Sequence, residues 1–170
     1  VQLIETLCAI YESLIIQFTP TLRQLDGDDD VAVWMDNLFI FSCVWSIGGT
    51  LQSDDRDYFS MELREILDQR EAGRTMYMPR DGTVFDHVLD TRKVGKSESK
   101  CTWRHWRDVL ADEGPLSIPP LAHFEDVFVP TPQSASLRFV FGHLLDSWRP
   151  LLVTGEQGCG KSFTLSRVLS

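Results

Sequence analysis

Eight residues, Gly155-Glu156-Gln157-Gly158-Cys159-Gly160-Lys161-Ser162, carry the most specific chemistry in the chain. A polyphosphate brings several negative charges into one place, so its receptor needs many donors that can approach closely. Glycines lack Cβ and adopt positive φ cheaply, so the amides from Gly158 to Ser162 can turn inward on a β-phosphate. A helix opening near Gly160 adds unpaired N–H groups and the positive end of its dipole. In the spacing Gly-x-x-x-x-Gly-Lys-Ser, Lys161 reaches the β/γ oxygens and the Ser162 hydroxyl serves as a Mg²⁺ ligand. The nucleotide-contacting set expected from this stretch is Gly155, Glu156, Gln157, Gly158, Cys159, Gly160, Lys161, Ser162 and Phe163. With glycine at about 7% of residues, the bare pattern arises by chance in roughly one chain of this length in a hundred.

Such a loop needs a strand before it and a helix after it. Leu151 to Thr154 is a short apolar run suited to a buried parallel strand, and the residues after Gly160 are compatible with a helix. Phosphate binding is not hydrolysis. Turnover needs an acidic residue on another strand to hold Mg²⁺ and orient water, and a charge-stabilising arginine. Neither is expected within this chain, so no catalytic residue is assigned in it and its standing as an enzyme stays open. Val1 in place of Met, and Ser170 in mid-helix, read as a segment cut from something longer.

Composition narrows the class. The chain has 170 residues, 43% hydrophobic and 24% charged, as expected of a folded protein holding one domain or parts of two. The net charge of −9 is uneven, with ten acidic residues against two basic in 1–60 and fifteen against fourteen in 61–170. No basic stripe is available for nucleic acid or an anionic membrane surface. The longest uncharged run, Asn37 to Ser53, contains Gly48-Gly49 and is too short to span a bilayer. Cys8, Cys43, Cys101 and Cys159 form no Cys-x-x-Cys pair, which fits reduced thiols rather than a zinc site or disulfide framework. His87, His105, His123 and His143 stand apart from one another and read as structural.

Upstream of the loop the pattern is helical. From Gln2 to Phe18, Leu3, Ile4, Leu7, Ile10, Tyr11, Leu14, Ile15 and Phe18 recur at three- and four-residue intervals, predicting a helix ended near Pro20. The acidic turn Asp26 to Asp30 suits the positive start of the next helix and lacks the ligand spacing of a Ca²⁺ loop. Residues Val31 to Ile47 are apolar on nearly every side and predict a helix buried on most faces, stopped by Gly48-Gly49. A third helix is expected from Asp54-Asp55 to about Glu71, with Tyr58, Phe59, Leu63, Ile66 and Leu67 facing inward.

Past Gly73 the pattern changes. Thr83 to Asp90 sets Phe85 and Leu89 against Asp86 and Asp90, predicting an exposed strand; Gly95 to Lys100 is a polar turn, and Cys101-Thr102-Trp103 returns as its pairing strand. A short helix is expected from about Arg104 to Ala111. Trp103 and Trp106, in acidic surroundings, read as packing residues rather than a base-stacking platform. Gly114 to Pro120 holds three prolines and a glycine and is the best domain boundary. Asp126 to Pro130 is extended. Thr131 then caps a helix with Pro132 at its first position, running to Trp148 and delivering the chain to the loop.

Three stretches resemble the dynein heavy chains, whose motor is a ring of six AAA+ modules in one polypeptide: Phe41-Ser42-Cys43-Val44-Trp45-Ser46-Ile47-Gly48-Gly49-Thr50-Leu51; Val84-Phe85-Asp86-His87 leading to Trp103-Arg104-His105-Trp106; and Asp126-Val127-Phe128-Val129-Pro130-Thr131 before the loop. The resemblance implies a mixed α/β, predominantly helical fold. Residues 1–125 would be the helical lid of the second AAA+ module with a small β-hairpin extension. Residues 126–170 would open the third module as helix, strand, P-loop and helix. It further implies ATP or ADP with Mg²⁺ at Gly155 to Ser162, and Val127, Phe128 and Pro130 near the adenine. The implied partners are neighbouring AAA+ modules and, through the full-length protein, intermediate and light chains and the microtubule, with no nucleic acid or membrane. The implied place is the cytoplasm and cytoskeleton, in the axonemal type a cilium or flagellum. Glu156, Gln157 and Cys159 stand where the family more often has small residues or proline and threonine. Two other readings stay open: a structural or interaction module with a non-hydrolysing loop, and another truncated P-loop NTPase such as a kinase or GTPase.

Overall fold

A computed structural model describes residues 2–25, 27–69, 78–90, 101–114, 116, 118, 121, 123 and 127–169. Three helices come first: α1 (Gln2–Leu22), α2 (Asp28–Ser46) and, after a 3₁₀ turn at Gly48–Thr50, α3 (Ser53–Gln69). A hairpin of β1 (His87–Asp90) and β2 (Thr102–His105) leads into α4 (Trp106–Asp112); α5 (Pro132–Asp146) and α6 (Lys161–Val168) follow. The hairpin is antiparallel, with His87 opposite His105 and Leu89 opposite Trp103.

The central element is α2. Trp34, Leu38, Phe41, Val44 and Trp45 are all buried, as its all-round apolar pattern demands. The stretch Asp28–Thr50, which α2 opens, is long and apolar enough by length and composition alone to cross a membrane, at a mean hydropathy of 1.5, which the uncharged run Asn37 to Ser53 did not reveal. Here α1, the hairpin and α5 supply the apolar surroundings instead. The two buried serines of α2 are satisfied within the helix: the Ser42 hydroxyl donates to Leu38 O at 2.8 Å and Ser46 to Ser42 O at 2.6 Å. Asp28, Asp29 and Asp30 occupy the first turn, where the dipole favours carboxylates.

Helix α1 buries Ile10, Leu14 and Phe18 against α2, with the Phe18 and Trp34 rings 5.8 Å apart. It does not stop at Pro20. The lost amide bond costs stability, but a further turn carries Leu22 and then Leu25 onto the core, and that burial offsets the loss. Helix α3 is rotated from expectation: Tyr58 is 63% and Ile66 56% exposed, whereas Phe59, Leu63 and Leu67 reach the core and Ser60 is buried. The reason is polar. Ser60 Oγ accepts the Val84 amide at 3.1 Å, and Arg64 donates to Pro79 O at 2.7 Å and Gly82 O at 3.0 Å, so that face must point inward. The expected end of this helix near Glu71, and the turn Gly95 to Lys100, lie outside the described residues.

The predicted strand from Thr83 begins four residues late. Thr83 and Asp86 form a reciprocal cap, with the Thr83 amide donating to Asp86 Oδ2 at 2.7 Å, and this holds Val84–Asp86 in a 3₁₀ turn. The strand proper, His87–Asp90, is buried throughout rather than half-exposed. Asp90 lies 3.9 Å from Arg104 Nε, and His87 Nδ1 sits 3.0 Å from Thr83 O, so the polar faces are paired inside. Both tryptophans pack inward: Trp103 Nε1 donates to Asn37 Oδ1 at 2.8 Å and Trp106 Nε1 to Phe85 O at 3.2 Å.

Helix α5 starts as its sequence predicts. Thr131 Oγ1 accepts the Ser134 amide at 3.1 Å, Ser134 Oγ accepts the Thr131 amide at 2.8 Å, and Pro132 takes the first turn. It then enters the same core as α1 and α2. Val140 is buried, and the Phe139 ring meets Phe41 at 5.7 Å and Trp106 at 5.6 Å. Helix α5 is thus on the far side of the proline-rich stretch in sequence but inside the bundle of α1 and α2 in space. That stretch lies mostly outside the described residues.

Candidate functional site

The glycine loop sits at the foot of α6. Gly158 and Gly160 have φ of 83° and 80°, the left-handed values that a residue with Cβ adopts at a cost. Gly160 is the N-cap of α6 and offers no side chain to the helix end. The first amide bonded along the helix is that of Thr164, to Gly160 O at 2.9 Å, so the amides of Lys161, Ser162 and Phe163 emerge from the positive end of the dipole. Gly155 is needed for another reason. A Cβ there would stand 3.1 Å from Cys159 Sγ and 3.7 Å from Lys161 Cδ, inside the curl of the loop.

Lys161 spans that curl. Its ammonium donates to Gly155 O at 2.9 Å and to Glu156 O, and lies 3.5 Å from Cys159 Sγ. The cation is thereby tied to the loop's own backbone, with these three partners all within the loop. Glu156, Gln157, Cys159 and Ser162 are exposed. The residues fit a Mg²⁺-polyphosphate in kind: a glycine cradle of amides, one ammonium, and a hydroxyl on the second residue of the helix.

The run before the loop departs from expectation. Leu151 to Thr154 has no regular structure, and Leu152 is 88% exposed. A parallel strand exists only through its neighbours, which bury both of its faces. The sole sheet among the described residues is the β1–β2 hairpin, packed against α2, and it does not pair with this run.

Of the residues expected near the adenine, Phe128 is brought to the loop. Its ring centroid is 5.4 Å from that of Phe163, the residue after Ser162. Arg167, one turn further along α6, lays its guanidinium 5.6 Å from the Phe128 ring and 5.7 Å from Phe163. Sequence reasoning passed over Arg167; its spacing of four from Phe163 on a helix was the available signal. Phe128 and Pro130 also line a cleft of about 830 Å³ between α1, α4 and α5, which the phosphate loop does not line. Val127 is half-buried beside them in sequence.

His143, Cys43 and Cys101 are shaped by packing. His143 is buried, its Nδ1 2.8 Å from Ser13 Oγ, and burial pulls its pKa down while Asp146 pushes it up. Burial raises the Cys43 thiol and pushes Cys101 up to about 12. All four cysteines are unbridged. No group of three or more histidine, cysteine or acidic side chains suited to a metal ion occurs among the described residues.

Residues 1–108 match the family described as "Dynein heavy chain AAA lid domain", and residues 116–170 match "P-loop containing dynein motor region". Curated relatives agree. The chain is 32% identical over 142 residues to dynein axonemal heavy chain 1 of Mus musculus, covering 77% of this chain and 3% of that protein. It is 28% identical over 169 residues to dynein axonemal heavy chain 11 of Sus scrofa (99% and 3%), and 30% over 133 residues to dynein axonemal heavy chain 12 of Mus musculus (73% and 4%). The chain thus spans only a few per cent of the length of the relatives it matches.

Proposed function

The chain belongs to the dynein heavy chains, and from that membership we propose that its Gly155 to Ser162 loop binds the phosphates of ATP or ADP with Mg²⁺ in a microtubule motor. The observation that carries the reading is the join of Gly158 and Gly160, both left-handed, to a helix beginning at Lys161, with the lysine ammonium over the loop. Lys161 neutralises the β/γ oxygens, the amides of Gly158 to Ser162 take the β-phosphate, and the Ser162 hydroxyl ligates the metal. Phe163 holds Phe128 at the base end, where Val127, Phe128 and Pro130 contact adenine. Mg²⁺ held there by the Ser162 hydroxyl would supply neutralising charge to the polyphosphate.

Residues 1–125 act as the lid and extension of the second module, and 126–170 open the third. The fit of α5 into the lid bundle supports a role in coupling the two. The names of the relatives favour an axonemal setting, in a cilium or flagellum, with the other modules of the same chain, intermediate and light chains and the microtubule as partners. No residue here is assigned to water activation, so the 170-residue chain by itself is expected to show weak nucleotide affinity and little or no turnover.

The test is photolabelling of a heavy chain carrying this segment with azido-ATP and Mg²⁺, the label then mapped by peptide. Label on peptides spanning 127–130 or 155–163, lost in Lys161→Ala, is the expected result. Label on those peptides that survives Lys161→Ala, or none in the unaltered chain, overturns the reading.

A further inference from the structure

Helix α5 is seated on α1 through buried polar atoms at the wall of the cleft between α1, α4 and α5. His143 Nδ1 is 2.8 Å from Ser13 Oγ, and both residues are buried. The Phe139 ring stands edge-on to the imidazole at 4.5 Å, and one turn on, the Ser147 hydroxyl lies 3.4 Å from Ala9 O. A serine hydroxyl can donate to an unprotonated Nδ1. Once Nδ1 carries a proton it donates to Ser13 Oγ instead, so what protonation of the neutral ring costs is the burial of a cation beside Phe139, Val140 and the flank of α1.

We propose that the Ser13–His143 contact is an acid-labile joint: adding one proton to His143 unseats α5, and with it the stretch that leads into the phosphate loop, from the lid helix α1. The charged groups around it act in both directions. Asp146 on α5 favours the cation, and Glu12 on α1, Glu113 on α4 and Arg138 on α5 line the cleft that opens beside it. Burial outweighs Asp146, so the histidine is held below its ordinary value. The sign follows. A base whose folded pKa is depressed contributes stability that is complete above its unfolded pKa, near 6.5, and is lost as pH falls toward the folded value. The inference does not depend on nucleotide binding, since none of these atoms belongs to the phosphate loop.

The experiment is urea unfolding of the 170-residue chain from pH 7.5 to 5, beside His143→Gln and Ser13→Ala. Glutamine keeps an amide that can meet Ser13 but does not titrate, so carboxylates elsewhere cancel in the comparison. The wild-type midpoint is expected to fall more steeply with acid than that of His143→Gln, with the extra slope approaching one proton. Ser13→Ala should lose stability at pH 7.5 and retain the steep slope. Parallel profiles for wild type and His143→Gln, or a wild type that gains on the variant in acid, would overturn the proposal. Should His143→Gln fail to fold, the imidazole proton resonance of His143 in the wild-type chain decides: a midpoint below 6.5 coincident with faster amide exchange in α5 supports the joint, and one at or above 6.5 sinks it.

Discussion

Gly48 and Gly49 are adjacent, but replacing each with alanine should have opposite effects. Neither has a left-handed φ, so backbone strain plays no part in the contrast. A Cβ on Gly48 would lie 2.7 Å from Phe85 Cζ, 2.8 Å from Phe59 Cε1 and 2.9 Å from Phe85 Cε1. Carbon atoms rest about 3.5–4.0 Å apart, so the rings must retreat by close to 1 Å. They have little room. Phe85 is already wedged by Trp45 at 5.7 Å, Phe59 at 5.9 Å and the Arg56 guanidinium at 4.9 Å. Overpacking of this kind costs about 1–3 kcal/mol. Removing a glycine from the unfolded chain returns about 0.4–1 kcal/mol. Gly48→Ala should therefore lose about 1–2 kcal/mol, a drop of several degrees in Tm for a chain of this size. A Cβ on Gly49 meets only Trp45 Cε3, at an ordinary 3.7 Å, so Gly49→Ala should be neutral or stabilising by up to about 1 kcal/mol. Urea titrations followed by circular dichroism measure both, and Phe85→Leu in the Gly48→Ala background should recover part of the loss, because the two sites share one space. Equal midpoints for the two alanine variants would refute the reasoning.

Two further outcomes follow from single residues. Trp148, at the end of α5, has φ of 54° and is 94% exposed, where a glycine is the usual occupant; Trp148→Gly should raise stability by about 1 kcal/mol in a thermal melt, and a loss would show the indole to be packed. In timed alkylation at pH 8 with peptide mapping, exposed Cys8 and Cys159 should react well before Cys101, whose thiol burial pushes up to about 12; Cys101 should become reactive only as pH rises toward that value or on unfolding, and early modification of Cys101 would contradict its placement.

Local chemistry was readable where a few neighbouring residues decide it. The Thr131 cap with Pro132 satisfies backbone amides within its own turn, the aspartates opening α2 sit at the positive end of its dipole, and the glycine turn before Lys161 is set by the φ that Gly158 and Gly160 allow. Periodicity found α1 and α2, but not where α1 ends, because the gain from Leu22 and Leu25 is tertiary. It also misjudged the inward face of α3, which Ser60 and Arg64 fix through bonds to residues 15 to 24 positions away. The hairpin was visible, while the burial of Asp90 and His87 required knowing that Arg104 and the Thr83 carbonyl would meet them. At the site, the loop and its lysine were legible, and the Phe128–Phe163–Arg167 stack was not, since it joins segments more than thirty residues apart. The predicted strand at Leu151 to Thr154 fails for the most general reason: one strand's pattern does not bring its partners.

Because α5 fills the groove beside Phe41 and Trp106, the seam between the two matched stretches of sequence does not coincide with a seam in the packing. Severing the polypeptide near residue 125 would strip a lining off the first bundle and leave oily rings facing solvent. The two portions are better regarded as riveted than hinged.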